Sequence, residues 1–179
     1  MTTDQVYDAK SIYYHWISAA LILLLWLIGQ NIDSFDRGDP RVIVRSIHIT
    51  LGLLLAVVFA LRVSWKFTGA KKLPQAVTGI QGKLATGTHH LLYLLLGVTL
   101  LIGIAAVWVR GDNIFNLFKI PAFDPTSEDL PDDVVDLHEL LANSLLLLAG
   151  AHTLLAIWHQ RVIKDNLLKR MWPSLKQED

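Results

Sequence analysis

Seven histidines are the residues of widest chemical range in this chain of 179: His15, His48, His89, His90, His138, His152 and His159. A neutral imidazole binds metal, and near neutral pH it takes up or releases a proton. Cysteine is absent, which excludes thiol nucleophiles, disulfides, iron–sulfur clusters and thioether-attached haem. His138 and His152 are fourteen residues apart. On one helix that spacing returns to within about 40° of the same face and separates the two by about 21 Å along the axis. His159 follows seven residues later, on that face again. One helix therefore offers imidazoles at two depths.

The elements that must carry these histidines are apolar and long. No Asp, Glu, Lys or Arg occurs between Lys10 and Asp33, between Arg45 and Arg62, between Lys83 and Arg110, or between Glu139 and Arg161. Uncharged apolar runs of about 18 residues or more read as membrane-spanning helices. The second run is the shortest, but Arg62 can snorkel and Val63, Ser64 and Trp65 extend it. We expect an all-α protein, a four-helix bundle integral to the membrane. It is read as a single membrane domain over residues 1–179, with spans at about 13–30, 47–65, 89–109 and 137–159. The first run is too long for a signal-peptide core and lacks a small-residue cleavage site, so it is expected to stay as the first helix. Asp136 or a neighbour is expected to cap the fourth.

Charge patterning orients the bundle. The connection from Arg62 to Lys83 carries Arg62, Lys66, Lys71, Lys72 and Lys83 with no acid, and the tail carries Arg161, Lys164, Lys169, Arg170 and Lys176 against three acids. The third connection instead holds Asp112, Asp124, Glu128, Asp129, Asp132, Asp133 and Asp136 against Arg110 and Lys119. The positive-inside rule then places both termini and the second connection in the cytoplasm of a bacterial inner membrane, with lipid as the surrounding partner. A net charge of zero without a concentrated basic patch excludes a nucleic-acid partner.

By depth, His48 and His138 lie together near the outer surface, and His15 and His152 near the inner one. Each histidine at a span edge also has a plain structural reading, as a hydrogen-bonding residue at the interface. Two facing imidazoles without thiolate or carboxylate suit a haem iron with both axial positions filled. Zinc, the competing metal, usually takes three or four protein ligands, and only Glu139 stands by to add one. His89 is the rival inner ligand. Arg45, one turn from His48, with Arg41 and Arg110, are candidates for pairing haem propionates or forming a positive entrance for an electron donor; the alternative is an ordinary interfacial role.

Several pieces together resemble the bacterial dihaem cytochrome b561 family. They are Tyr14-His15-Trp16, Arg45-Ser46-Ile47-His48, His89, Arg110-Gly111 and His138-Glu139-x-Leu-Ala-Asn143. Further on come Gly150-x-His152, His159 and Lys164-Asp165-Asn166-x-Leu168-x-Arg170-Met171-x-Pro173. The fourteen-residue histidine spacing is also similar to that of the cytochrome b subunits of membrane hydrogenases and formate dehydrogenases, which are usually longer. The resemblance implies two b haems, His48/His138 outside and His15/His152 inside, enclosed by the bundle and passing electrons to quinone. It further implies a superoxide:ubiquinone oxidoreductase of the respiratory membrane. The alternatives are a cytochrome b subunit serving a periplasmic dehydrogenase and, in another class, a transporter with a histidine relay. His159, with Arg45, is the catalytic candidate, and Trp16, His89 and His159 are the quinone candidates. The outer connections are net negative, which argues against an anionic donor, although screening beyond about 8–10 Å leaves local arginines in control.

Topology is the first testable consequence. Reporter fusions after Leu73 and after Asp124 should report inside and outside respectively, and the reverse result would invert every depth assignment.

Overall fold

The structure, a computed structural model, describes residues 6–75, 77–127 and 129–172; Glu128, Pro173 and Lys176 lie outside the described residues. Four helices carry the chain: α1 (Ala9–Gly29), α2 (Asp39–Thr68), α3 (Gly79–Arg110) and α4 (Leu130–Trp158). All four are long and apolar enough to cross a membrane. Within a bilayer a helix satisfies its own backbone hydrogen bonds, which is why apolar runs of this length fold in this way. Leu53, Leu54, Leu94, Leu101, Leu147 and Leu154 are exposed on the outer surface. Such a jacket would aggregate in water and is matched by lipid tails.

The helices reach beyond the apolar windows because their first turns are polar and still helical. The start of α4 corrects the expected cap. Asp136 lies inside the helix, which opens at Leu130 with Pro131 in its first turn, and the Leu130 N–H donates to Ser127 Oγ at 3.2 Å. Proline needs no partner for a missing N–H there, so the helix begins before the apolar run does.

Packing divides the bundle into two hairpins. α1 lies mainly against α2, and α3 against α4, with sparser contact of α1 on α4 and of α2 on α3. A seam runs between the hairpins. At mid-depth each helix contributes one buried leucine, Leu25, Leu55, Leu96 and Leu145, which pack as a single layer. Leu145 is seven residues from both His138 and His152, Leu96 seven from both His89 and Gly103, and Leu55 seven from both His48 and Arg62. At 1.5 Å per residue the polar positions lie about 10 Å above and below the leucines. A period of seven therefore alternates polar, leucine and polar layers.

Short-range devices hold the ends. α3 closes on Gly111, left-handed at φ 68°, and Ala122 lies where a Cβ would project. Beyond it a two-stranded ribbon pairs β1 (Asn113–Ile114) with β2 (Phe118–Lys119) through a turn with Phe115 and Asn116 at positive φ. Fully buried Ser46 pins that ribbon to α2, its hydroxyl accepting from the Phe115 N–H at 2.8 Å and donating to the Val42 carbonyl at 2.7 Å.

At the other end Asp8 caps α1, accepting from the Ser11 N–H at 3.0 Å and hydroxyl at 2.7 Å. It also accepts from Trp65 Nε1 at 2.9 Å and the Lys71 N–H at 3.1 Å, which ties α1 to the end of α2. Partial burial raises the Asp8 pKa, but the donors from Ser11, Lys71 and Trp65 outweigh it and bring the carboxyl to about 2. A carboxyl depressed in the folded state stabilises fully above its unfolded value of about 4 and loses that contribution as pH falls through about 2. Asp8→Ala should lower stability by about 1 kcal/mol at neutral pH, and the gap to the parent should narrow on acidification, as read by thermal unfolding in detergent.

Candidate functional site

At the end of the bundle away from the termini, α2 and α4 bring His48 and His138 face to edge, ring centres 6.3 Å apart and planes at 88°. Two imidazoles ligating one metal in line, each at about 2 Å, have centres about 6 Å apart. The Nδ1 of His138 is 3.1 Å from the Thr99 carbonyl. A carbonyl only accepts, so Nδ1 carries the proton and Nε2 keeps its lone pair. Metal-ligating histidines are characteristically held in this way through the second nitrogen. His48 is buried beside the Leu25 backbone, its nearest polar support, although its Nδ1 makes no hydrogen bond of regular geometry among the described residues. Glycine makes the room: a Cβ at Gly103 would lie 2.8 Å from His138 Cε1, and one at Gly29 would lie 3.3 Å from His48 Cε1. These residues fit an iron held between two imidazoles.

Charge gathers beside this pair. Arg45 Nη1 is 3.4 Å from Asp112 Oδ1, and Asp112 is only 5% exposed. Burial raises the Asp112 pKa, against the opposing pull of Arg110 and Arg45. Asp33 and Asp132 also act on Arg110, so the cluster mixes both signs, and Arg45 Nε is buried without a hydrogen-bond partner among the described residues. Arg41 does not join them. Its guanidinium pairs with Asp33 at 3.1 Å and donates to the Asp33 and Phe35 carbonyls, which fastens the α1–α2 connection.

The end carrying the termini gathers three histidines. His89 and His152 are the nearest rings, with centres 5.3 Å apart, whereas His15 Nδ1 accepts from Arg62 Nη2 at 3.1 Å. Arg62 and Lys66 both lie over the Tyr93 ring, at 5.0 and 4.3 Å. Trp16 stands edge-on to His15 at 5.5 Å and to Trp172 at 5.8 Å, and donates from Nε1 to the Met171 carbonyl at 2.7 Å. The chain after α4 thus folds back beside His15. His90 is exposed.

His159 is directed elsewhere. α4 passes into a wider turn over His159–Ile163, and the ring meets Asp165, Nδ1 to Oδ2 at 2.6 Å. Burial raises the Asp165 pKa, but hydrogen bonds from His159 and the Leu167 N–H prevail and lower it. Sequence reasoning used Arg62 and Asp112 only for span length and orientation, and Asp165 only within the motif of the resemblance, giving none of them a place at the site. Of these, Arg62 was legible as the residue one heptad beyond Leu55.

Paired imidazoles at two depths in four apolar helices define a class, the multi-pass membrane cytochrome of b type. The chain belongs to the prokaryotic cytochrome b561 family, whose model matches residues 6–174. It is 29% identical over 172 residues to a probable superoxide oxidase CybB of Yersinia pestis, covering 94% of this chain and 96% of the relative. It is 30% identical over 176 residues to cytochrome b562 of Cereibacter sphaeroides, covering 96% and 98%. A shorter match, 40% identical over 72 residues, is to a probable Ni/Fe-hydrogenase B-type cytochrome subunit of Rhizobium leguminosarum, covering 36% and 30%.

The glycine contacts give a direct check. Gly103→Ala pushes a methyl into the His138 ring and should lower b-type haem content per chain by about half, measured by the dithionite-reduced absorption band. Gly97→Ala, whose Cβ would meet Phe59 at an ordinary 3.4 Å, should leave that content unchanged.

Proposed function

We propose that the protein holds two b haems in series across a bacterial inner membrane and passes electrons from the outer face to quinone at the inner face. The His48/His138 pair carries this reading, because its separation, its Thr99-fixed tautomer and its glycine cradle all suit iron ligation. We assign His15 and His152 as the second pair. This requires Arg62 to release His15 Nδ1, so that the ring proton can move there and Nε2 regain its lone pair. Both pairs then join opposite hairpins across the looser seam, where parting of the hairpins would admit a flat macrocycle, whereas His89 and His152 belong to one tightly packed hairpin. When bound, each haem supplies one-electron chemistry, while the protein contributes axial imidazoles, an apolar shell and charge.

The chain's own residues define what happens at each face. The basic α2–α3 connection and the tail put the termini in the cytoplasm, so His48, His138, Arg45 and Arg110 lie outside. Arg45 and Arg110 beside the outer pair are the cations that would attract superoxide there, against Asp112, Asp33, Asp132 and the acidic third connection. The named activity of the Yersinia relative agrees with this direction. A periplasmic dehydrogenase is the second reading, favoured by the match to a hydrogenase cytochrome subunit. Family membership sets the transporter alternative aside. On the inner side His159 is the proton donor to ubiquinone, with Trp16 beside His15 lining the approach.

Ligand substitutions test the pairing. His48→Ala or His138→Ala should remove one haem, His15→Ala or His152→Ala the other, and His89→Ala neither, by reduced-band stoichiometry. Two haems retained in His152→Ala with one lost in His89→Ala would reverse the inner assignment. For the donor, superoxide supplied to quinone-loaded protein should reduce the haem rapidly. That rate should fall with added salt and in Arg45→Gln; no reduction at any salt would leave the dehydrogenase reading.

A further inference from the structure

After α4 the backbone does something costly. The wide turn at His159–Ile163 is followed by Lys164 at φ 60° and Asn166 at φ 61°, two left-handed residues without a glycine between them. A wide turn capped by one left-handed residue is a common helix ending, whereas a second one, Asn166, two residues on is strain of the kind that concentrates at functional sites. The left-handed pair flanks Asp165 and turns it back onto the helix it has just left. The Lys164 N–H closes the turn on the His159 carbonyl at 2.7 Å. One carboxylate oxygen of Asp165 then lies 2.6 Å from His159 Nδ1, and the other accepts from the Leu167 N–H at 3.1 Å. Both oxygens are fixed, so the imidazole plane is fixed too.

We propose that Asp165 is a positioning residue that holds the Nδ1 proton of His159, so that Nε2 is the nitrogen presented to a quinone oxygen. This rests on the reading of His159 as the proton donor on the quinone side. An ionised carboxylate only accepts, so the ring must donate from Nδ1. With a second proton on Nε2 the ring is a cation, and the carboxylate compensates its charge. The step is a proton transfer coupled to quinone reduction. The Nε2–H bond breaks and an O–H bond forms on the quinone as two electrons reach it from the reduced haems. The ring is left neutral, with Nδ1 still bonded to Asp165. Water returns the proton to Nε2 and supplies the second proton of the quinol.

Asp165→Asn separates positioning from folding. Asparagine can still accept from the Leu167 N–H, so the turn survives, but it neither compensates an imidazolium nor accepts from both donors at once. A neutral ring with its proton on Nε2 still hydrogen-bonds a quinone, so binding persists while proton delivery slows.

The experiment uses holoprotein in lipid nanodiscs, reduced and freed of reductant, with reoxidation by a short-chain ubiquinone followed at the b band. Asp165→Asn should keep the haem content and lower the limiting reoxidation rate about tenfold or more, with the quinone concentration for half that rate within about twofold. In a His159→Ala background the same change should add no further loss. A normal limiting rate in Asp165→Asn while His159→Ala is slow would overturn the positioning role alone. A further loss in the double variant would also overturn it, because Asp165 would then act without His159. Wild-type reoxidation in His159→Ala would overturn the quinone-site reading itself, and this proposal with it.

Discussion

An imidazole inside an apolar bundle has two ring nitrogens, and each needs a partner. That requirement organises the molecule. A ring nitrogen removed from water without a hydrogen bond or a metal is costly, and no solvent within a bilayer makes up the loss. His138 meets half of the demand through the Thr99 carbonyl, and His15 through Arg62. His48 has only the Leu25 backbone beside it, short of a regular hydrogen bond among the described residues. Polar residues can be kept at such depths only in layers, where each finds another across the bundle. A seven-residue spacing on neighbouring helices produces those layers.

Between the layers packing takes over. The two hairpins each close tightly on themselves and meet more loosely, so the space that can open lies along one seam. The connecting segments fix the helix ends, one within the α1–α2 hairpin and one across the seam. Asp8 binds the start of α1 to the end of α2, and Ser46 binds the ribbon after α3 back to α2. Each is a small polar side chain that serves several backbone donors and acceptors at once. Altering one would shift a helix end rather than a single contact.

Much of this was legible in one dimension. The four apolar windows announce four helices because length and absence of charge are the conditions for spanning, and no tertiary context overrides them. The fourteen-residue interval in α4 announces two depths for the same reason. What the pattern did not contain was adjacency. The approach of His89 to His152, with His15 turned to Arg62, depends on which helices pack closely, and hydropathy is blind to that. Arg41 looked like a partner of Arg45 by spacing, but the connection folds over it and takes up its guanidinium. The return of Asp165 was hidden because Lys164 and Asn166 adopt left-handed backbone that their identities do not demand. The start of α4 was placed late because a polar first turn resembles a loop.

The leucine layer has a consequence of its own. Leu25, Leu55, Leu96 and Leu145 leave no room at mid-depth for a chain of water molecules or exchangeable groups. Hydrogen ions therefore have no path along the bundle axis, whereas electrons tunnel through hydrocarbon over short distances. A charge passing from one imidazole layer to the other would cross alone, with no compensating ion beside it. Such a transfer is electrogenic, and each elementary charge exchanges about 2.3 kcal/mol with the field for every 100 mV it traverses. In the proposed orientation, with the termini inside, an electron moving inward would climb the resting potential. The voltage of the membrane thus opposes the reaction, as an accumulated product would.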